Sequence, residues 1–246
     1  MATCIRWYKL LGIVTALLCG APAVAHAQAL QPLQQILRAH QAWTNPPASV
    51  EIVGTATRGT VSQPVRITAT RQEEVSMEYG AKRLVATPSA YFSEDGTKFS
   101  REATPSGFAQ LDVTGLFLIA QLAAKPVTIG RVEPATLQGI PGFRVRVRTD
   151  RTEVHYYQLT VRDEMDIYTT ATGLLAGISR SFYETRPRFQ FTMALTFSDY
   201  RDTGGVLLPY RIERFIKGAK VETIVVDRYN FDVPASSSLF APRRGR

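Results

Sequence analysis

The segment Phe197-Ser-Asp-Tyr-Arg-Asp-Thr-Gly-Gly-Val-Leu-Leu-Pro-Tyr-Arg-Ile212, followed by Val221-Glu-Thr-Ile-Val-Val-Asp-Arg-Tyr-Asn230 and Val233-Pro-Ala-Ser-Ser-Ser-Leu-Phe-Ala-Pro242, decides the fold. Together these stretches read as three antiparallel strands and an ordered tail. Just upstream, Phe189, Phe191, Met193, Leu195 and Phe197 alternate with Arg188, Gln190, Thr192, Ala194 and Thr196, the period of two that turns one face to a core and the other to solvent. An apolar sheet face of that kind needs a cover. Pro209 falls inside the strand expected over 206–215, and since proline cannot donate to a ladder it predicts an edge or a bulge there.

Working outward, the first residues read as a leader. Arg6 and Lys9 form a basic start, Leu10 to Cys19 an apolar run, and Ala25-His26-Ala27 a small-residue cleavage site before Gln28, which is the pattern of a secretory signal peptide over 1–27. The chain is expected to be exported, with residues 28–246 as one domain. Leu18 before Cys19 is a poor lipidation context. Both cysteines, Cys4 and Cys19, lie in the leader, so the mature chain must hold itself together by its core, without disulfides. Removing Arg6 and Lys9 from the 29 Lys+Arg leaves 27 against 21 Asp+Glu, a formal +6, an excess that suits acidic partners or plain solubility. No dense basic run interleaved with stacking aromatics precedes the final Arg243-Arg244-Gly-Arg246, which speaks against nucleic acid.

Leu33, Ile36, Leu37, His40 and Trp43 fall on one stripe, predicting an amphipathic helix over 30–43 that starts near Pro32 and stops at Asn45-Pro46-Pro47. Short runs rich in Val, Ile, Thr and Tyr then predict strands over 50–58, 64–70, 74–79, 82–86, 89–93 and 97–102, the last two joined by Asp95-Gly96. A second helix is expected over 111–124. Its centre, Leu116-Phe-Leu-Ile-Ala-Gln-Leu-Ala-Ala124, is apolar nearly all the way round, too short for a membrane span and suited to lie between a sheet and a further apolar surface. Strands resume over 127–132, turn at Gly139-Ile-Pro-Gly142, and continue over 143–148 with a partner over 152–161; another is expected over 177–184. The fold class expected is α+β, dominated by an antiparallel sheet. Strands shorter than the roughly 10 residues of a tilted membrane strand argue against an outer-membrane barrel.

Little in the sequence points to a reaction. Two histidines, His40 and His155, and no cysteine remain after the leader, too few ligands in no metal-binding spacing; both read as structural or surface residues. There is no nucleophile elbow, S-x-x-K or phosphate loop. The carboxylate groups Glu73-Glu74, Asp163-Glu164 with Asp166, and Asp199 with Asp202 read as solvated turns and strand boundaries. Two features stand out. Arg144, Arg146 and Arg148 alternate with Phe143, Val145 and Val147, forming either a basic strip for anionic headgroups or an acidic partner, or the wet face of a strand. Leu111, Leu116, Phe117, Ile119 and Leu122, together with Leu33, Ile36, Leu37 and Trp43, are the candidate lid and lining of a lipid-sized cavity, or else an ordinary core.

An exported chain with an amphipathic N-terminal helix, a strand meander, a mid-chain apolar helix and further strands resembles the periplasmic lipoprotein-carrier superfamily of Gram-negative bacteria, the LolA/LolB-like proteins. Tyr200-Arg-Asp-Thr-Gly-Gly-Val-Leu-Leu-Pro-Tyr-Arg-Ile212 looks like that family's turn and "G-V-x-L-P" strand, and Val233-Pro-Ala-Ser236 with Leu239-Phe-Ala-Pro242 is similar to the tail of many relatives. The resemblance implies a strongly curved antiparallel sheet forming an incomplete, half-open barrel around an apolar cavity in the periplasm, helices at its mouth, and a basic residue inside that latches the lid, with Arg66 and Arg71 in the region where it would fall. It also implies a non-catalytic carrier of a lipid, lipoprotein acyl chain or other amphiphile, without cofactor, partnered by lipidated proteins or by inner- or outer-membrane proteins. Burial at ~0.8 kcal/mol per methylene gives an acyl chain of about a dozen methylenes on the order of 10 kcal/mol before ordering costs. Two other readings remain open: an envelope protein-interaction or sensor domain of the same fold, and an enzyme using the cavity as a dry reaction chamber.

Overall fold

The structure, a computed structural model, describes residues 31 to 241 apart from 73, 88–89, 96–97, 102–111, 150–153, 157–158, 162–163 and 186–187. The leader, the Asp95-Gly96 turn, Leu111 and the final arginines therefore lie outside the described residues. Helix α1 (Gln31–Ala39) is followed by β1 (Ser49–Arg58), β2 (Val61–Thr70), β3 (Val75–Tyr79), β4 (Lys82–Thr87), β5 (Ala90–Asp95) and β6 (Lys98–Arg101). Helix α2 (Leu116–Ala123) then precedes β7 (Val127–Leu137), β8 (Ile140–Thr149), β9 (Val154–Tyr156), β10 (Leu159–Val161), β11 (Glu164–Thr169), β12 (Leu175–Thr185), β13 (Arg188–Thr203), β14 (Val206–Ile216) and β15 (Ala219–Phe231). The chain closes on a 3-10 turn, Ser237–Phe240.

All strands belong to one antiparallel sheet in the order β6-β5-β4-β3-β2-β1-β15-β14-β13-β12-β11-β8-β7, with β10 and β9 extending the β12 side. Its two meanders are joined where the first strand meets the last, Val50 opposite Phe231 and Thr57 opposite Thr223. The path is open at β6 and β7. Register shifts at Val53/Gly54, Ile129/Val132, Tyr168/Thr169 and Arg214/Phe215 add local twist to the sheet's own, and together they curl it into an incomplete half-barrel. Gly54 is obligatory at the first of these: a Cβ there would stand 2.2 Å from the Val225 carbonyl oxygen.

One phase of each strand builds the core. Val50, Ile52 and Ala56 of β1, Val65 and Ile67 of β2, Leu195 and Phe197 of β13 and Ile224 and Val226 of β15 join a single cluster that also takes in both helices. Each such aliphatic or aromatic side chain contributes about 1.5–3 kcal/mol on burial. The other phase is not uniformly wet, because Ala194 and Thr196 are buried as well. They are small and are flanked in the ladder by Phe215 and Glu213 of β14.

Several sequence expectations need correction. Helix α1 stops at Ala39, short of Trp43, because Gln41 takes a left-handed conformation, φ +53. Bonds from the Ala42 N–H to Leu37 O and the Gln41 N–H to Arg38 O complete a Schellman cap. The second helix is broken at Gly115, φ +50, into a 3-10 turn (Asp112–Thr114) and α2. Strand β7 runs on to Leu137, and the turn falls at Gln138-Gly139, one pair earlier than Gly139-Ile-Pro-Gly142, since both Gln138 and Gly139 have positive φ. The partner of residues 143–148 is β11, not residues 152–161; the chain goes out along β9, returns along β10 and only then pairs with β8. Pro209 lies in an interior strand. It is tolerated because the β14–β15 ladder begins at Arg211, and Asp199, beside its β13 partner Tyr200, has φ +55. Glu164 and Asp166 belong to β11 rather than to a turn.

Candidate functional site

The concave side of the half-barrel is an apolar trough, and the two helices fill its mouth. Helix α2 is buried all round, Leu116 through Leu122 without exception, because one side meets the sheet and another meets α1. Gly115 places its start against the Phe197 ring, where a Cβ would come to 3.1 Å. Its one amide, Gln121, is buried and satisfied: Nε2 donates to the Thr70 carbonyl at 2.7 Å. The Ala124 and Lys125 amides close the last turn on Gln121 and Leu122, and Pro126 ends it. Among the described residues no helix is long and apolar enough to cross a membrane.

Helix α1 covers the other part of the mouth. Leu33 and Ile36 are fully buried in the core, with Leu37 and Trp43 packed on its margin. Trp43 meets Phe231 edge to face, ring centroids 5.4 Å apart. At the end of the helix His40 is a staple: Nδ1 donates to Leu207 O at 2.6 Å, Nε2 accepts from the Leu175 N–H at 2.8 Å, and the Leu207 N–H returns to His40 O at 2.9 Å. The Tyr200 hydroxyl donates to Leu175 O beside it. Burial lowers the His40 pKa, with the Leu207 bond opposing. Of the candidate lid and lining residues, Leu33, Ile36, Leu37, Trp43, Leu116, Phe117, Ile119 and Leu122 come together here, and Leu111 lies outside the described residues. Between α1, the loop carrying Trp43 and the end of α2 lies a cleft of about 420 Å³ lined by Leu37, Ala42, Trp43, Ala120, Ala123 and Ala124, among others.

The opposite end of the trough is charged, and sequence reading missed it. On the core-facing phase of their strands, Arg58 follows Ala56, Tyr79 follows Met77, Arg180 follows Ile178, Arg214 follows Ile212 and Glu222 precedes Ile224. Glu222 stands opposite Arg214 in register. Its carboxylate meets Arg58 Nε at 2.6 Å and Arg214 Nη1 at 3.2 Å, with Glu222 and Arg214 side chains only 2% and 8% exposed and Arg58 43%. The Arg58 guanidinium also lies 4.4 Å over the Tyr79 ring, whose hydroxyl burial pushes up to about 12 against the pull of Arg214 and Arg58. Arg180 is buried, its Nη2 3.8 Å from Met165 Sδ.

The Arg144, Arg146 and Arg148 strip is elsewhere, on the outer face of β8. Each arginine is laid against a carboxylate: Arg144 on Glu133, Arg146 on Asp166 at 2.7 Å and Arg148 on Glu164 at 2.9 Å. The cation strip is thus threaded through an anion strip on β7 and β11. The two positions considered for a latch arginine are not inside the trough. Arg66 pairs with Glu51 at 3.3 Å while 54% exposed, and Arg71 ties the loop after α1 to the rim, donating to Pro47 O and Asn45 Oδ1. A further arginine, Arg83, donates to the carbonyls of Ser238, Leu239 and Ala241 and so holds the C-terminal turn against β3 and β4. Among the described residues no cluster of His, Cys, Asp and Glu is grouped to hold a metal.

No family model matches the chain, and no curated protein sequence matches it. Solved structures do. A domain assigned to outer-membrane lipoprotein sorting from Vibrio parahaemolyticus superposes with a TM-score of 0.54 at 8% identity, over 87% of this chain and 97% of that one. A DUF1329 family protein from Desulfovibrio piger gives 0.53 at 12% identity, with the same shares of 87% and 97%. A LolA superfamily protein from Nitrosomonas europaea gives 0.50 at 10%, again over 87% and 97%. At such low identity the likeness speaks for architecture, and the architecture agrees along almost the whole of each neighbour: this chain has the half-barrel fold of the LolA-superfamily and lipoprotein-sorting structures.

Proposed function

We propose that the protein is an exported envelope protein that carries a lipid, a lipoprotein acyl chain or another amphiphile in the trough beneath α1 and α2, without covalent chemistry. The observation that supports this most is the construction of the mouth. An apolar helix, α2, and an amphipathic one, α1, close an apolar trough, and α1 adds only Leu33 and Ile36 as fully buried side chains and is held at its end by the His40 staple. Removing such a lid uncovers a surface that an alkyl chain can cover again, at ~0.8 kcal/mol per methylene. The names of the structural neighbours are consistent with this use of the fold. The expected lining is Leu33, Ile36, Leu37, Trp43, Leu111, Leu116, Phe117, Ile119 and Leu122.

The test is to express the full chain with its leader in a Gram-negative host, isolate it from the periplasmic fraction, and measure its mass under native and then denaturing conditions. The expected result is a start at Gln28 and a discrete bound amphiphile, or, for a bare protein, a saturable change in Trp43 fluorescence on adding dodecyl maltoside below its micelle concentration. A bare mass that stays bare in detergent and in mixed phospholipid vesicles refutes carriage and favours a protein-interaction role.

A further inference from the structure

We propose that the charged end of the trough is an anion subsite, which takes the carboxylate or phosphate head of a single-chain amphiphile while the tail runs toward the helices. This deepens the carrier reading above and rests on it. The outer arginine strip offers anions little, being interleaved with Glu133, Asp166 and Glu164. The inner cluster differs in composition and in place. Arg58, Arg180 and Arg214 converge from β1, β12 and β14 onto the same concave face. Arg180 stands opposite Met193 and Arg214 opposite Leu195, so the two flank β13 from either side one residue pair apart.

Among the described residues the carboxylate of Glu222 is shared by Arg58 and Arg214. Guanidinium groups are planar forks that suit carboxylate and phosphate oxygens, and with little water around them such contacts strengthen. The cluster is nonetheless reachable. The Arg58 side chain is 43% exposed, and it stands beside the hairpin turns after β1 and β14. Apolar core lies directly above: Ala56, Ile212, Ile224 and Ile178 are the next side chains along the same strands. From Arg58 back to Val50 beside the helices, β1 spans about 26 Å at ~3.3 Å per residue, the length of a long acyl chain that would lie along the trough with its head at the arginines and displace the side chains that now fill it. A chain loaded this way has a fixed polarity.

The experiment uses the full protein and four amphiphiles with the same twelve-carbon tail: dodecanoate, dodecyl phosphate, neutral dodecyl maltoside and cationic dodecyltrimethylammonium, each titrated against Trp43 fluorescence at low and high salt. The two anions are expected to bind about tenfold or more tighter than the maltoside, with the advantage shrinking as salt rises. Arg58→Gln, at a half-exposed position, is expected to remove most of that advantage and leave maltoside binding unchanged. Glu222→Gln, which takes away the competing carboxylate, is expected to tighten the anions further, whereas a purely structural cluster would only lose stability. Which anion wins tells a carboxylate head from a phosphate one. Equal binding of all four ligands, unaffected by Arg58→Gln, overturns the anion subsite and leaves the carrier reading standing; binding of none overturns both.

Discussion

His40 gives the sharpest test of how α1 is held. Its ring sits against Tyr200, centroids 5.1 Å apart, and its two nitrogens serve backbone groups on two different strands, Leu207 O on β14 and the Leu175 N–H on β12. This pairing fixes the neutral ring with its proton on Nδ1, since Nε2 must accept. His40→Ala strands both backbone groups in a buried site at about 1–3 kcal/mol each, and the imidazole leaves a cavity that adds to this. A loss of about 3–5 kcal/mol is expected, a fall in melting temperature of roughly 10 °C for a chain of this size. The pH dependence carries an independent sign. Burial holds the folded-state pKa below 6.5, so between that value and 6.5 the unfolded chain binds more protons than the folded one. The contribution is complete above about pH 6.5 and is lost as pH falls through the folded value, with a slope of at most ~1.4 kcal/mol per pH unit. Urea unfolding followed by Trp43 fluorescence, from about pH 5 to pH 8, should show the wild type losing stability toward acid faster than His40→Gln. If the two differ by the same amount at every pH, or if His40→Ala unfolds within about 1 kcal/mol of wild type, the staple is not what the geometry says.

Two further substitutions separate the sheet's architecture from its surface. Gly54→Ala drives a Cβ to 2.2 Å from the Val225 carbonyl; the β1–β15 contact must open, at about 1–3 kcal/mol, and a thermal melt should drop by several degrees. An unchanged melt would mean that the junction of the two meanders is not close-packed there. Replacing Arg144, Arg146 and Arg148 together with glutamine should cost no more than ~1 kcal/mol per exposed pair and leave dodecanoate binding as it was. A large loss of binding would move the ligand site from the trough to the outer face.

Much of this molecule was legible in its residues. The strand runs over 50–58 and 82–86 are found almost as read because they are rich in β-branched and aliphatic residues and the turns beside them carry glycine, Gly59 and Gly80. The apolar helix was legible because Leu116 to Ala123 contains no charged residue. Reading failed where pairing depends on distant chain. Residues 143–148 look as if they should pair with the next run, yet β11 is their partner, and only the match of Arg148 to Glu164 and Arg146 to Asp166 across the ladder hints at it. The charged end of the trough was missed for a different reason. Arg180, Arg214 and Glu222 occupy the apolar phase of their strands, where a charge reads as noise in the period of two. In hindsight that misplacement was the signal, because a charge on the buried phase is costly unless something answers it.

If the protein carries an alkyl chain as proposed, the energetics of burial favour one helix over the other as the part that moves. The closed trough is filled by the helices' own side chains, and the mouth cleft of about 420 Å³ lies between the helices instead of under them, so a ligand chain must displace protein. Withdrawing a Leu or Ile side chain costs about 1.5–3 kcal/mol, and a dozen methylenes give back on the order of 10 before ordering costs. Lifting α2 would expose Leu116, Phe117, Leu118, Ile119 and Leu122 at once and break the Gln121 bond to Thr70, more than one chain restores. Lifting α1 exposes Leu33 and Ile36 and breaks the His40 staple, a smaller loss that one chain comes closer to offsetting. On the carrier reading α1 is the candidate lid and α2 the fixed wall. The pH dependence of stability that His40 brings predicts that ligand uptake, followed by Trp43 fluorescence, becomes easier as pH falls below about 6.5; uptake that is the same from about pH 5 to pH 8 would refute that assignment.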